Sequence, residues 1–266
     1  MLYFLKLGGS LITDKASPQT PRPDVIARLA DEIAQAQQAR PDAQLLLGHG
    51  SGSFGHVEAK RHGTRAGVRS LDEWRGFAAV SVAAARLNRI VSDALQEFGV
   101  TAITFQPSAS ARCRDGVIET LAIDPIVGAL ERRLAPLVYG DVAFDDVRGG
   151  TIISTEDIFR FLAQRLRPAR VLLAGLEAGV YSDWPAGRTV IPRITPDNAP
   201  RYLAALGGAS ATDVTGGMAS KVGEMLALAG EIPGLQLQIF SGEIPSRVFA
   251  ALTTSQPEFG TIIADR

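Results

Sequence analysis

The sequence predicts an α/β fold, a three-layer αβα sandwich around a mostly parallel central sheet. Short apolar runs of strand length alternate with longer segments whose apolar residues recur at helical spacing. Strands that alternate with helices are joined by crossovers, which produce a parallel sheet covered on both faces. The chain has 266 residues, of which 46% are hydrophobic, so it can bury one large core.

The apolar runs place six strands and the helical patterns place four helices. The predicted strands are residues 2–7, 44–47, 100–105, 137–139, 171–174 and 235–240. The predicted helices are residues 24–40, 70–98, 155–166 and 217–230. Ser70, followed by Glu73, predicts a capping box at the start of the longest helix, and Ser154 or Thr155 is a candidate N-cap for the third.

Charge and cysteine content exclude several classes of protein. Lys and Arg number 27 against 28 Asp and Glu, which argues against a general binder of nucleic acid or membrane surfaces. The single cysteine, Cys113, excludes an intrachain disulfide and a cysteine-rich metal site, and we interpret it as a small semi-buried residue. No segment resembles a secretory signal or a membrane span, so we expect a cytoplasmic protein.

The segment 49–56, His-Gly-Ser-Gly-Ser-Phe-Gly-His, follows a predicted buried strand and indicates a phosphate-binding loop. Glycines allow close backbone approach, and successive N–H groups form an anion site. The segment also matches G-x-G-x-x-G, but no second strand ends in an acidic residue about twenty positions later. Asp72 and Glu73 lie at that distance, yet they open a helix. A dinucleotide-binding fold is therefore disfavoured.

Two more glycine-rich segments carry lysines. Lys6-Leu7-Gly8-Gly9-Ser10 ends the first strand and Lys15 follows it, at the sheet edge where ligands of open α/β folds bind. Residues 213–221 place Gly216 and Gly217 before a helix that carries Lys221. N–H groups at a helix start favour anions. Three glycine segments with lysines predict a polyphosphate ligand.

In this order and spacing, residues 6–10, 49–56 and 213–221 resemble the amino acid kinase superfamily, and the isopentenyl phosphate kinases within it are the most similar. Thr13-Asp14-Lys15, Tyr139-Gly140-Asp141 and Gly260-Thr261-Ile262-Ile263 add specific matches, and the resemblance covers effectively the whole chain. It implies ATP as donor with Mg²⁺, a small phosphate acceptor, a homodimer, and transfer of the γ-phosphoryl group of ATP to isopentenyl phosphate. It also implies a single domain over residues 1–266, with the acceptor bound by about residues 1–166 and the nucleotide by about residues 167–266.

The resemblance assigns roles residue by residue. The implied catalytic residues are Lys6, Lys15, His56, Asp157 and Lys221, of which Asp157 would orient the lysines. The implied nucleotide-binding residues are Lys6, Gly8, Gly9, Ser10, Gly52, Gly216, Gly217 and Lys221. The implied acceptor-binding residues are Ser51, Gly55, His56 and Thr155. No metal is expected to be held by the protein alone, and His49 and His62 receive no role and are expected at the surface or just behind the site.

Two segments depart from the pattern of the resemblance. Leu176-Glu177-Ala178 replaces Asp-Val-Asp, which puts contacts to the nucleotide base or ribose in doubt. Thr155 replaces a glycine in Ser-Gly-Asp-Asp, so a side chain there would narrow the site or alter the choice of acceptor. Along the long helix, Trp74, Phe77 and several small residues would either leave room for a short prenyl chain or simply pack in the core.

Other functions remain open at this point. A kinase of the same superfamily for another small phosphate or phosphonate, such as fosfomycin, would use the same residues. A nucleotide-binding sensor without catalysis belongs to a different class. The retained Lys6, Lys15, His56 and Lys221 argue against it, because a pure binder would not need this full set of cations.

Overall fold

In the computed structural model, the described residues are 1–183, 186–187, 189–206 and 217–266, without the side chains at positions 56, 57, 60 and 203–206. Over these ranges, eight strands form one sheet. They are β1 (Leu2–Leu7), β2 (Gln44–His49), β3 (Ala102–Thr104), β6 (Ala135–Tyr139), β9 (Arg170–Gly175), β10 (Arg193–Ile194), β11 (Gln236–Ser241) and β12 (Thr261–Ile263). Their order is β10-β12-β11-β9-β1-β2-β6-β3, and only the β11–β12 pair is antiparallel. The predicted mostly parallel sheet is confirmed.

A second, smaller sheet was not predicted. It contains β4 (Arg112–Arg114), β5 (Val117–Thr120), β7 (Asp141–Asp145) and β8 (Gly149–Ile153), in the order β5-β4-β7-β8. The Asp145 carboxylate links the turn between β4 and β5 to the turn between β7 and β8. It accepts hydrogen bonds from the backbone N–H groups of Asp115, Gly116, Val147 and Arg148. Such short strands give too little alternation of polar and apolar residues for recognition from sequence.

Helices cover the main sheet. They are α1 (Gly9–Ile12), α2 (Pro23–Ala39), α3 (Gly52–His62), α4 (Leu71–Glu97), α5 (Asp124–Glu131), α6 (Thr155–Leu166), α7 (Ala199–Leu206), α8 (Gly217–Glu231) and α9 (Arg247–Thr253). The four predicted helices correspond to α2, α4, α6 and α8, with ends that agree within one residue. The predicted capping box at Ser70 is present, with both of its reciprocal hydrogen bonds.

Each face of the sheet packs against its own helices. Along β1, Leu5 and Leu7 belong to the core shared with α2, α4 and α9, whereas Phe4 belongs to the core shared with α5, α6 and α8. Because side chains alternate along a strand, Lys6 projects to the same face as Phe4. The alternation thereby directs Lys6 toward α6 and α8.

Two further expectations concern the single cysteine and the possibility of a membrane-spanning helix. Cys113 is fully buried, and burial raises the pKa of its thiol to about 11, which agrees with a structural residue. Within the described ranges, every helix is too short or too polar to cross a bilayer.

Candidate functional site

The first turn of α1 and the loop after β2 touch backbone to backbone. A Cβ atom on Gly9 would lie 2.4 Å from the Gly52 nitrogen, and a Cβ atom on Gly50 would lie 2.8 Å from the Gly9 nitrogen. The Thr13 hydroxyl fixes the contact, because it donates to the Gly9 carbonyl at 2.7 Å and accepts from the Ser53 N–H at 2.9 Å. The two glycine segments recognised in the sequence therefore form one surface.

Two backbone N–H groups on this surface are available to an anion. In the part of the chain that the structure describes, the amides of Gly9 and Ser10 donate no hydrogen bond. The prediction that Gly8 offers its N–H to the nucleotide is wrong, because this group donates to the Ala174 carbonyl at 2.8 Å and extends the pairing of β1 with β9. The anion-binding amides thus begin one residue later than expected.

The segment 49–56 is only partly a loop, because α3 begins at Gly52. Gly55 was predicted to contact the acceptor phosphate, but its N–H donates to the Ser51 carbonyl inside the helix, so it is not available as a donor. Gly55 instead leaves space for Ser51, whose Oγ would lie 2.5 Å from a Cβ atom at position 55. Ser51 is the N-cap residue, and its side chain makes no capping bond.

Several predicted site residues lie partly or wholly outside the described residues. The backbone of His56 belongs to α3, but its side chain is not described. Gly216 lies in the undescribed segment 207–216, whereas Gly217 begins α8. Lys15 is exposed on the segment that follows α1.

Lys6 is held by a carboxylate from α6, and that carboxylate belongs to Glu156. The two side chains form an ion pair in which Lys6 is 14% exposed and Glu156 29% exposed. Burial opposes the ionisation of Glu156, but the charge and hydrogen bond of Lys6, together with the charge of Lys221, lower its pKa below the ordinary value. Lys6 and Glu156 therefore form an ion pair at the carboxyl end of β1, and the positive charge of Lys221 on α8 acts on the same carboxylate.

The prediction that Asp157 orients the lysines is wrong. Its carboxylate accepts bonds of 2.7 Å from the N–H and the hydroxyl of Ser154, and Ser154 Oγ accepts from the Asp157 N–H. Asp157 thus completes the capping box of α6 and stabilises the helix start. Its neighbour Glu156, for which no role was predicted, makes the contact with Lys6 instead.

Thr155 was predicted to contact the acceptor, and this is also wrong for its side chain. The residue is 1% exposed, and its hydroxyl donates to the His49 carbonyl at 2.6 Å. Its methyl group faces Gly48, where a Cβ atom would lie 2.7 Å away. The threonine that replaces glycine therefore fills space between α6 and β2 and does not project into the site.

His49 is completely buried behind the glycine segment and not at the surface. Its ring is stacked on Tyr139, with centroids 5.5 Å apart, and lies within hydrogen-bonding distance of Asn88 and the Gly50 carbonyl. Burial lowers the pKa of the imidazole, and the charge of Lys6 lowers it further. No sequence signal separated this histidine from a surface one, because the burial comes from α4 and β6.

The segment 176–178 is held in place without the two aspartates. Ser241 Oγ donates to the Leu176 carbonyl at 2.9 Å, and the Ala178 N–H donates to the Tyr181 hydroxyl at 3.2 Å.

Among the residues described, no three His, Cys, Asp or Glu side chains cluster as a metal site would require. The arrangement offers lysine charges and free amides at one sheet edge, which suits polyanions.

Comparison with known proteins agrees with this arrangement. A family model described as the amino acid kinase family matches residues 1–241. The isopentenyl phosphate kinase of Haloferax volcanii is 41% identical over 230 residues, 85% of this chain and 88% of that relative. The isopentenyl phosphate kinase of Methanocaldococcus jannaschii is 35% identical over 229 residues, 84% of this chain and 85% of that relative. An X-ray structure of isopentenyl phosphate kinase superposes with a TM-score of 0.83 at 30% identity and covers 99% of this chain and 100% of that one. By sequence and by fold, this chain belongs to the amino acid kinase family.

Proposed function

We propose that the chain is a phosphotransferase that moves the γ-phosphoryl group of ATP to isopentenyl phosphate. The γ P–O bond of ATP breaks, an acceptor phosphate oxygen forms the new P–O bond, and the products are ADP and isopentenyl diphosphate. The observation that carries the proposal is the Lys6–Glu156 ion pair at the end of β1 that leads into the free amides of Gly9 and Ser10, with the charge of Lys221 acting on the same carboxylate. The choice of acceptor is supported by the relatives, which are isopentenyl phosphate kinases.

The chemistry needs positive charge more than it needs a base. A phosphate monoester has a second pKa of about 6, so the attacking oxygen is already ionised near neutral pH. The difficulty lies in bringing two polyanions together and stabilising the charge on the transferred group. Lysines and fixed backbone N–H groups supply what that transition state requires.

The donor side of the site follows from the placement of each group. Lys6, held by Glu156, would bridge the transferring phosphoryl group, and Lys221 would bind the β- and γ-phosphates. The amides of Gly9 and Ser10 would donate to phosphate oxygens, and Lys15 would add charge in the transition state. Mg²⁺ bound to ATP neutralises charge on the phosphates, and we expect phosphate oxygens and water to supply its ligands.

The acceptor side is proposed to lie at the start of α3. Ser51 and His56 would hold the acceptor phosphate, with Gly52 on the donor side of the same turn. The apolar tail would reach the cluster between α4 and the small sheet, where Trp74, Phe77 and Phe144 pack with ring centroids 5.2 to 5.8 Å apart. Phe144 is half exposed, so this cluster is open on one side.

The deciding experiment is an ADP-release assay with three acceptors. Isopentenyl phosphate and dimethylallyl phosphate test the proposed activity, and fosfomycin tests a phosphonate kinase of the same fold. We expect ATP-dependent ADP release with isopentenyl phosphate. Protein that binds ATP but releases no ADP with either prenyl phosphate would contradict the proposal.

The proposed role of His56 is tested by the variant His56→Ala. We expect the KM for isopentenyl phosphate to rise by about tenfold or more, with the KM for ATP nearly unchanged, because one charge-assisted contact to the acceptor is lost. The matched control is His62→Ala, at the end of the same helix and paired with Glu58. Equal acceptor KM values for the two variants would show that His56 does not bind the acceptor.

Two further proposals concern the oligomeric state and the location of the chain. We propose a homodimer, as the resemblance implies, and a cytoplasmic location, as expected from the sequence features described above. Light scattering on the purified chain, coupled to size exclusion, measures the oligomeric state directly.

A further inference from the structure

Thr155 ties α6 to β2 by a side-chain hydrogen bond next to the Lys6–Glu156 ion pair. It is the first residue of α6, its hydroxyl donates to the carbonyl of His49, and His49 is the last residue of β2. Glu156, the next residue, forms the ion pair with Lys6. The register of the sheet places Lys6 opposite Gly48 and Leu7 opposite His49. A continuous set of contacts therefore links β1 to β2, β2 to Thr155, and Glu156 back to Lys6 on β1.

Two other contacts at the start of α6 are of a different kind. The capping box joins Ser154 to Asp157 within the helix terminus, so it preserves the helix without attaching it to β2. Phe159, one turn later, packs on Phe4 at a centroid distance of 5.1 Å and also faces Gly48 of β2, and these apolar contacts are non-directional. The Thr155 bond, in contrast, is directional: it is 2.6 Å long, buried, and made by the residue next to Glu156.

Loss of this bond is expected to leave the fold intact. The His49 carbonyl also accepts the N–H of Gly140 at 3.3 Å, so it retains a partner when the hydroxyl is removed. Valine has nearly the shape of threonine, and the methyl group that faces Gly48 would be preserved. The main consequence would be freedom for the start of α6 to shift relative to β2.

We propose that Thr155 is a positioning residue for phosphoryl transfer: its hydroxyl bond to the His49 carbonyl holds Glu156 where it directs the Lys6 ammonium group. This inference rests on the proposed function and deepens it. The resemblance expects glycine at this position. The threonine that replaces it here acts on the rate of transfer and has no role in acceptor binding.

The test compares Thr155→Val, which removes the hydroxyl, with Thr155→Ser, which keeps it. For Thr155→Val we expect kcat to fall about tenfold while the KM values for ATP and isopentenyl phosphate change less than about twofold, because small misplacements affect the transition state most. Thr155→Ser is expected to restore kcat to within about twofold of the wild type. A rise in acceptor KM without a change in kcat, or a serine variant as slow as the valine variant, would overturn the proposal.

A double-mutant cycle with Glu156→Gln separates positioning from general loosening. If Thr155 acts through Glu156, Thr155→Val lowers kcat in the wild type but has little further effect in the Glu156→Gln background. Equal fold-losses in both backgrounds would refute the coupling. If Thr155→Val shows no cooperative thermal transition, Thr155→Ala takes its place in the cycle.

The same measurements keep the two proposals distinct. Wild-type turnover of isopentenyl phosphate tests the function alone. If the wild type prefers another phosphate or phosphonate, the cycle is run with that acceptor, because the Lys6–Glu156 geometry does not depend on the acceptor tail.

Discussion

Replacing Glu156 by glutamine tests the assignment on which the active site depends. The substitution keeps the size of the side chain and removes the charge that faces Lys6. Both side chains are less than one third exposed, so solvent screens the pair only in part. A hydrogen bond to a charged group contributes about 1.5 to 3 kcal/mol, and each 1.36 kcal/mol corresponds to about tenfold in rate. If this energy orients Lys6 for transfer, kcat should fall about 10- to 160-fold.

The assay is steady-state ADP release with saturating ATP and isopentenyl phosphate. Asp157→Asn is the matched control, since it changes the neighbouring carboxylate, which caps α6. We expect it to lower the free energy of unfolding by about 0.5 to 2 kcal/mol and to leave kcat of the folded enzyme near the wild-type value. A large loss of kcat in Asp157→Asn, with Glu156→Gln near the wild type, would refute our assignment.

The same substitution has a consequence for acid stability. Because the pKa of Glu156 is lowered in the folded state, its ionisation stabilises the fold above the pKa of an unfolded glutamate, about 4.3. That contribution is lost as the pH falls through the lower folded pKa. The Tm of Glu156→Gln should therefore depend less on pH below about 4.5 than the Tm of the wild type. If the Tm of Glu156→Gln and the Tm of the wild type fall equally with pH in this acid range, the ion pair contributes nothing to folding.

Two further predictions concern the backbone and the buried histidine. Gly9→Ala should lower both Tm and kcat, because its Cβ atom would lie 2.4 Å from the Gly52 nitrogen; a fully active and stable variant would contradict the backbone contact. Since the pKa of His49 is lowered by burial, its neutral form stabilises the fold above about pH 6.5 and this contribution declines as the pH falls. His49→Gln should have a lower Tm at pH 8 and a flatter Tm between pH 7 and pH 5, whereas an unchanged slope over that range would show that another group titrates there.

The regular elements were predictable because their signals are local. The helical spacing of apolar residues, with a cap predicted at Ser70 and another at Ser154 or Thr155, placed α2, α4, α6 and α8 within one residue of their observed ends. The small sheet and α3 were missed for the opposite reason. The four short strands show little alternation of polar and apolar residues. A glycine-rich segment is typical of a loop, although here Gly52 begins a helix.

The sequence by itself determined that an α/β chain with glycine segments and lysines would present a polyanion site at the carboxyl ends of its strands. Only the tertiary structure decided which groups are available there. Glu156 and Asp157 are adjacent and both acidic, but consecutive residues of a helix point about 100° apart, so one meets Lys6 and the other caps α6. Likewise the Gly8 N–H is taken by Ala174, a residue more than 160 positions away. Sequence fixes which residue types are present, whereas the faces they present and the partners they meet depend on how distant strands pair and helices pack.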